Sequence, residues 1–562
     1  MTCPTAELFD HAYGLLDAPS PMPEHASVCP GCADGLDRLR RERDLLGEAL
    51  RDPRFQAAVA PRRRPGRGWR WLHAGYAAAL VLGLFGVIVL PRPHVQPRAV
   101  SAPALGGPQE DDTAALIRQL GADDFDAREK AAEALVRKGL AVEPELRKAM
   151  EDDDTEVRAR ARGILARIKG LRARDLLLAS RGKLLGARLG GKRAALLEAG
   201  GDAATEDAVL IALKWLSRHQ SPDGSWEAKD HSAHCGKPAK YAGTDCVTKA
   251  GTVDYTTGVT GLAVLAFAGA GYTHLSKDTY DGLCFGDVVR LGIQWMLNQQ
   301  NREGCIGSTN APKHIYNHAL ATLALCEVYA LSRSKLFEDR AEKAVRYLVS
   351  AQNPGLGWRY SSRSGDNDTS VTTWAALALR VAWHAKIDVP DEAFTGAVAW
   401  LDAVTDPAWG RAGYTHRGTG KVFVPGMNEN FHHHETLSGA AAFVRMILGT
   451  KPNDALIRSA TDFLLRDKPS TNDPNGIDYY YWHLGTLALF QHDGPSGERW
   501  KQWNGFLKEA LLKSQSTPDK GCKSGSWEPT DRWGPEGGRV YATALNALTL
   551  ETYYRYAPVP RD

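Results

Sequence analysis

The chain has 562 residues, 43% of them hydrophobic and 24% charged, with a formal net charge of +3. That length is too great for one ordinary core and implies several domains. So small a net charge excludes a whole-protein field that would draw nucleic acid, and no nucleic-acid partner is expected.

The first sixty residues carry Cys3, His25, Cys29 and Cys32, the last three within HASVCPGC. A Pro-Gly turn brings the two thiolates of Cys-x-x-Cys to one side, and a His four residues earlier can join them on a tetrahedral zinc; Cys3 is the expected fourth ligand, with His11 as a competitor. The arrangement resembles the zinc-containing anti-sigma domain over residues 1–60. That resemblance implies Zn2+ here and a sigma factor as partner, clamped by helices such as the amphipathic ADGLDRLRRERDLLGEAL.

Trp71 to Leu90 is a twenty-residue apolar run without formal charge. At about 1.5 Å per residue it matches a hydrocarbon layer of roughly 30 Å. Arg62, Arg63, Arg64, Arg67 and Arg70 precede it, against Arg92 and Arg98 after it. This bias predicts a single transmembrane helix, residues 71–90, in a bacterial cytoplasmic membrane. The N-terminus would face the cytoplasm and the C-terminal domain would be extracytoplasmic.

Residues 91–110 read as a linker, rich in Pro, Ala and Gly. Asp124 to Ala131 and Asp154 to Ala161 then share D-x-x-[AV]-R-x-x-A at an offset of thirty residues. Each unit should open a helix with Asp at the N-cap, Arg exposed and Ala at a close crossing. They resemble short HEAT-type repeats over residues 111–170, and a basic helical connector follows at 171–200.

From residue 201 to 562 one motif recurs. Ala212, Trp215, Leu216, Gln220, Gly224 and Trp226 set the spacing, and Gly292, Trp295, Met296, Gln300 and Gly304 keep it, with Ile306 in place of the last Trp. Ala344, Tyr347, Leu348, Gln352 and Trp358 repeat it. Ala397, Trp400 and Leu401 keep the helical half, with Thr405 for Gln and Trp409 displaced. Gln515 precedes Gly525 and Trp527 by a longer loop. A more apolar helical stretch follows each copy, which predicts an all-α domain of six outer and six inner helices, an α6/α6 toroid. The Gln should reach free amides of the next helix, with the Trp covering it.

This pattern resembles the QW repeat of squalene and oxidosqualene cyclases, shared more loosely by protein prenyltransferase beta subunits, over Thr205 to Tyr556. The resemblance implies a terpenoid cyclase or prenyltransferase toroid and an isoprenoid ligand; fold alone does not assign function. The cyclase proton donor sits centrally in D-x-D-D-T, and the matching Gly365-Asp366-Asn367-Asp368-Thr369 puts Asn367 there. An amide cannot supply that proton. Asp366 could substitute, or Asp368 and Thr369 could simply cap the helix that holds Trp374. A closer string, EDDDT at Glu151 to Thr155, falls in the HEAT-like segment and reads as a helix cap. The prenyltransferase zinc set finds no match, and Gly304-Cys305-Ile306-Gly307 lacks the Gln of a thioester ring.

Polar residues gather at corresponding ends of inner helices: His318, the run Phe431 to Glu435 with His432, His434 and Glu435, and the run Asp478 to His483. In a toroid these ends meet at one mouth. Candidate catalytic groups are thus Asp366, Asp368, Glu435 and Asp478. Candidate ligand-binding groups are His318, His432, His434, Tyr481, His483 and Trp374. Of the three consecutive His, at most two could share a metal, because neighbours on a helix point about 100° apart. Among six toroid cysteines, Cys235 and Cys246 flank one loop and are the best-placed disulfide pair in an oxidising space. Two readings follow: a membrane-anchored protein whose toroid binds a ligand or partner and whose zinc domain answers, or a lipid-directed enzyme of the cyclase or prenyltransferase type. A protein-binding scaffold is a third.

Overall fold

The computed structural model describes residues 113–122, 124–180, 185, 188, 192–235, 246, 250–417 and 435–559. Cys3, His11, His25, Cys29, Cys32, the Trp71 to Leu90 run, His432 and His434 lie outside the described residues. Among the described residues no helix is long and apolar enough to cross a membrane. The single-pass placement expected above is corrected accordingly. The apolar helices of the ring run from 12 to 19 residues and pack against one another.

The first described helices are α1 (Thr113–Gln119), α2 (Phe125–Lys138), α3 (Glu143–Ala149) and α4 (Thr155–Ser180). They bury a core of their own that includes Leu120, Ala131, Leu135, Leu146, Ala161 and Ile164. Asp124 caps α2 by accepting from the Ala127 N–H at 2.9 Å, and Asp154 accepts from the Glu156 N–H at 2.8 Å. The two motif arginines turn back instead of projecting: Arg128 donates to the Ala122 carbonyl and Arg158 to those of Asp152 and Asp153. The short helix α5 (Lys192–Glu198) follows.

Among the described residues, twelve helices then alternate between two layers. The outer layer is α6 (Ala203–Arg218), α8 (Phe285–Asn298), α10 (Lys335–Ser350), α12 (Asp391–Val404), α14 (Ala455–Leu464) and α16 (Glu498–Ser514). The inner layer is α7 (Thr256–Gly269), α9 (His314–Ser332), α11 (Thr369–His384), α13 (Thr436–Ile447), α15 (Tyr479–Asp493) and α17 (Gly534–Leu550). A two-residue hairpin, β1 (Thr279–Tyr280) with β2 (Leu283–Cys284), lies before α8, and the single turn α18 (Thr552–Arg555) follows α17. Each inner helix packs on the next and α17 packs back on α7, so the inner layer closes. Inner helices are buried almost all round, whereas α10 and α14 are buried on one stripe. That difference in apolar pattern assigns the layers, because only a helix surrounded by others gains from apolar residues on every face.

The recurring turn is the device that joins neighbouring units. The side-chain amide of Gln220 donates to the Val288 carbonyl of the next outer helix at 2.9 Å and to its own turn at Gly224. Gln300 does the same to Arg340, Gln352 to Ala393 and, across the closure, Gln515 to Ala208. The expected contact with free amides is thus reversed: the Gln donates to carbonyls. Each Trp ties the turn to its own helix, Trp226 donating to Leu216, Trp358 to Leu348 and Trp527 to Leu511. At the degenerate copy Thr405 donates to its own helix at Leu401 and accepts from Arg445 of α13, without reaching the next outer helix, and Trp409 is 62% exposed.

Gly224 is required for two separable reasons. Its φ is +97°, and a Cβ there would meet the Leu291 carbonyl oxygen at 2.3 Å. Gly271 has the same φ with open space around it. Gly224→Ala should therefore cost more stability than Gly271→Ala, which isolates the backbone strain of about 1–3 kcal/mol. Denaturant midpoints of the two variants measure the difference.

At the C-terminal ends of the inner helices the ring is closed by charge. Glu327 accepts from Arg555 at 2.9 Å and pairs with Arg188 at 2.7 Å, all three side chains without solvent exposure. Burial alone would raise the Glu327 carboxyl, but Arg555 and Arg188 hold it below its ordinary value.

Candidate functional site

The N-terminal ends of the inner helices converge on the opposite side of the ring, as α-helix order and alternation require. Their rim is aromatic. Lys313, just before α9, lies over the rings of Tyr255 and Tyr360 and bonds the Tyr255 hydroxyl. Tyr360 and Tyr414 share a hydroxyl contact, and Arg359 pairs with Asp366. Tyr255, Lys313, Tyr360 and Tyr414 are half-buried. Burial raises the phenols, Tyr360 to about 12, and lowers Lys313, so the rim presents neutral hydroxyls.

One layer deeper, three inner helices meet. Trp374 of α11 donates from Nε1 to the Tyr316 hydroxyl of α9 at 3.0 Å and to that of Tyr480 of α15 at 3.1 Å. Ser370 and the Tyr480 hydroxyl lie 2.7 Å apart. His483 stacks on Trp374, ring centroids 5.9 Å apart, and bonds Thr549 of α17 through Nδ1. Burial holds His483 neutral, down to about 3, and its Nε2 has no hydrogen bond. Asn546, also wholly buried, leaves both amide atoms unbonded. Buried polar atoms of this kind are rare in a closed core, where they cost about 1–3 kcal/mol each.

Asp368 sits at the start of α11 below this rim. Its backbone is extended and Oδ1 accepts from the Val371 N–H at 2.7 Å, so it is the N-cap. Oδ2 has no hydrogen bond of ordinary geometry, with the Tyr414 hydroxyl nearby. Burial raises this carboxyl to about 7, against the opposing pull of the Val371 amide and Arg359. A neutral acid and an aromatic wall are therefore adjacent. Asp531, at the approach to α17, is a second raised carboxyl at about 8: burial dominates, Asp478 adds repulsion, and the Tyr541 hydroxyl donates to it at 3.0 Å.

The other expected residues divide sharply. Asp366 is exposed and Arg359 helps to hold it below its ordinary value against the effect of burial, so it stays ionised and is unsuited to donate a proton. Asn367 is buried and accepts from the Asn353 amide. Glu435 is committed to Arg411 at 2.9 Å and to Ser438 at 2.8 Å. Asp478 caps α15 through the Tyr481 N–H and accepts from Trp533 Nε1. His318 faces the wall: Nδ1 accepts from the Ile306 N–H and Nε2 meets the Ala344 carbonyl. Tyr481 likewise turns outward, donating to the Leu464 and Asp467 carbonyls. Trp374 and His483 do reach the interior.

Missed by the motif reading are Tyr316, Ser370, Tyr414, Tyr480 and Asp531. A signal for two of them existed, since Tyr480 sits about 100° round its helix from Tyr481 and Tyr316 about 200° from His318, so each pair faces different ways. The Cys235–Cys246 disulfide is corrected: the sulfurs are 3.3 Å apart, well beyond an S–S bond of about 2.05 Å.

Compared with known proteins, residues 194–437 match the model of the squalene-hopene cyclase C-terminal domain family. No curated protein matches the chain. Among solved structures, type II terpene cyclase MstE from Scytonema is similar at 14% identity over 62% of this chain and 97% of that one, with a TM-score of 0.39. The alpha-1,6-mannanase GH76A of Salegentibacter sp. HEL1_6 is similar at 11% identity over 62% and 99%, TM-score 0.41. A novel alpha-amylase from Clostridium perfringens is similar at 11% identity over 62% and 97%, TM-score 0.41. These structures act on different chemistries by their own descriptions and carry no argument about this site.

Proposed function

We propose that the ring is a lipid-directed enzyme that takes an apolar isoprenoid-type molecule at its aromatic rim and protonates a carbon–carbon double bond from Asp368. One observation carries the reading: Asp368 is a fully buried carboxyl raised to about 7, beside a wall of tyrosines and tryptophan. The family match over residues 194–437 supports it at the level of the domain.

The chemistry balances simply. The Asp368 O–H bond breaks as a C–H bond forms at one alkene carbon, and positive charge appears on the other carbon. The faces of Trp374, Tyr316 and Tyr480 can stabilise that charge, because an aromatic quadrupole attracts a cation within about 6 Å of the ring. The reaction ends when the cation loses a proton to water, or when water adds to it and the resulting oxonium releases a proton to solvent. Asp368 regains its proton from solvent by way of the Tyr414 and Tyr360 hydroxyls. Since Asn367 cannot donate, the acid role moves one residue along the motif.

Asp368→Asn separates chemistry from folding. Asn is as good an N-cap as Asp, so stability should hold. Product formed from linear polyprenes, followed by mass spectrometry, should fall by at least about 100-fold. The wild-type rate should also decline as pH rises through about 7, because the raised carboxyl loses its proton there. Equal rates for Asp368→Asn and wild type would sink the reading.

A further inference from the structure

We propose that His219, Cys235, Cys246 and Cys522 bind one structural zinc ion that staples the first unit of the ring to the last. The four ligand atoms lie within 4.8 Å of one another. His219 Nε2 is 3.1 Å from Cys246 Sγ, 3.3 Å from Cys522 Sγ and 3.7 Å from Cys235 Sγ. Cys235 and Cys246 sulfurs are 3.3 Å apart. With Zn–S near 2.3 Å and Zn–N near 2.0 Å, the edges of a tetrahedral Cys3His site measure about 3.5–3.8 Å. The four edges given above fall within about half an ångström of those values, and all six lie within 4.8 Å.

The surroundings orient the ligands as a metal site requires. His219 is wholly buried, and its Nδ1 meets the Trp215 carbonyl at 2.8 Å. That bond puts the ring proton on Nδ1 and leaves the Nε2 lone pair aimed at the three sulfurs. Trp215 stacks on the imidazole with centroids 4.1 Å apart, which fixes its plane. The Cys246 N–H donates to Cys235 Sγ at 3.2 Å, a bond suited to a thiolate. A disulfide would account for two of the four groups and leave a buried imidazole and thiol facing it. With all four positions supplied by protein, no site remains for water or substrate, so the role is structural.

The placement explains the need. Every other junction in the ring is crossed by the chain itself, but the junction between α16 and α6 joins residues some three hundred positions apart. There Gln515 donates to Ala208, Arg218 to Ser524, and Lys508 pairs with Asp202 at 2.9 Å. His219 ends α6, and Cys522 lies in the turn after α16. A zinc between them supplies at the seam the cross-link that chain connectivity supplies elsewhere.

The test uses the full chain carrying Cys29→Ser and Cys32→Ser, which removes the N-terminal thiolate pair. Purified without chelator, it should hold one equivalent of zinc by elemental mass spectrometry. Adding Cys522→Ser should abolish that zinc and speed amide exchange in α6 and α16, whereas Cys326→Ser, buried elsewhere, should change neither. If Cys522→Ser does not fold, His219→Cys keeps four ligands: zinc should be retained, and cobalt substituted for it should show a four-thiolate spectrum in place of the three-thiolate one. Absence of zinc from the Cys29→Ser, Cys32→Ser chain, zinc unchanged by Cys522→Ser, or a Cys235–Cys246 disulfide in peptide mapping overturns the proposal.

Discussion

Glu327→Ala should cost about 3–5 kcal/mol, because it strands two buried guanidinium groups. Arg188 and Arg555 both point at this one carboxylate, and neither has solvent to turn to. The measurement is the shift in denaturant midpoint of the full chain. Replacing Arg188, Glu327 and Arg555 together by apolar residues of similar volume should recover most of that loss, since it removes the desolvation cost along with the attraction. The pH dependence has a definite sign. The folded Glu327 lies below its ordinary value, so its contribution is present above the unfolded carboxylate range and is lost as pH falls through the folded value. A single substitution that matches the triple one would show that the ion cluster does not close the ring.

Trp358→Ala is expected to cost about 3–5 kcal/mol, and Trp409→Ala under about 0.5 kcal/mol. Both tryptophans belong to the same repeated turn by sequence. Trp358 is fully buried, donates from its indole to the Leu348 carbonyl at 2.7 Å and donates its backbone N–H to the Thr372 hydroxyl oxygen of α11. Trp409 sits in the copy that lost its Gln, and most of its surface faces water. The pair therefore measures what an intact turn contributes over a decayed one. Comparable losses at both positions would mean that the turn does not bind outer to inner helix as described.

These contrasts also show what the sequence could carry. The repeated turn was legible because its parts lie within fifteen residues, where offsets survive as a pattern: Gln220 with Gly224 and Trp226, Gln352 with Trp358. The direction of its hydrogen bond was not, since a Gln can donate or accept equally well by composition. Rotational position round an inner helix was hard to read for the opposite reason to an outer one. An inner helix is apolar on every face, so no stripe tells Tyr480 from Tyr481, or Tyr316 from His318. The result is that the interior holds Tyr316 and Tyr480 while His318 and Tyr481 serve the wall.

Electrostatic roles were partly legible. That Asp368 caps α11 follows from its place before a helix, but its raised carboxyl depends on complete burial in the assembled ring, which no local pattern shows. The Cys3His cluster lies beyond local reading altogether, because Cys522 joins residues from the other end of the domain. Cys235 and Cys246 looked like a disulfide only while that partner and His219 were unseen.

Running the reaction in deuterated water tests the central claim most directly. A linear polyprene turned over by the full chain should give product carrying one deuterium at the carbon that was protonated, and Asp368→Asn should give none above background. Product free of deuterium, or deuterium incorporated equally by Asp368→Asn, would contradict acid-initiated chemistry at Asp368.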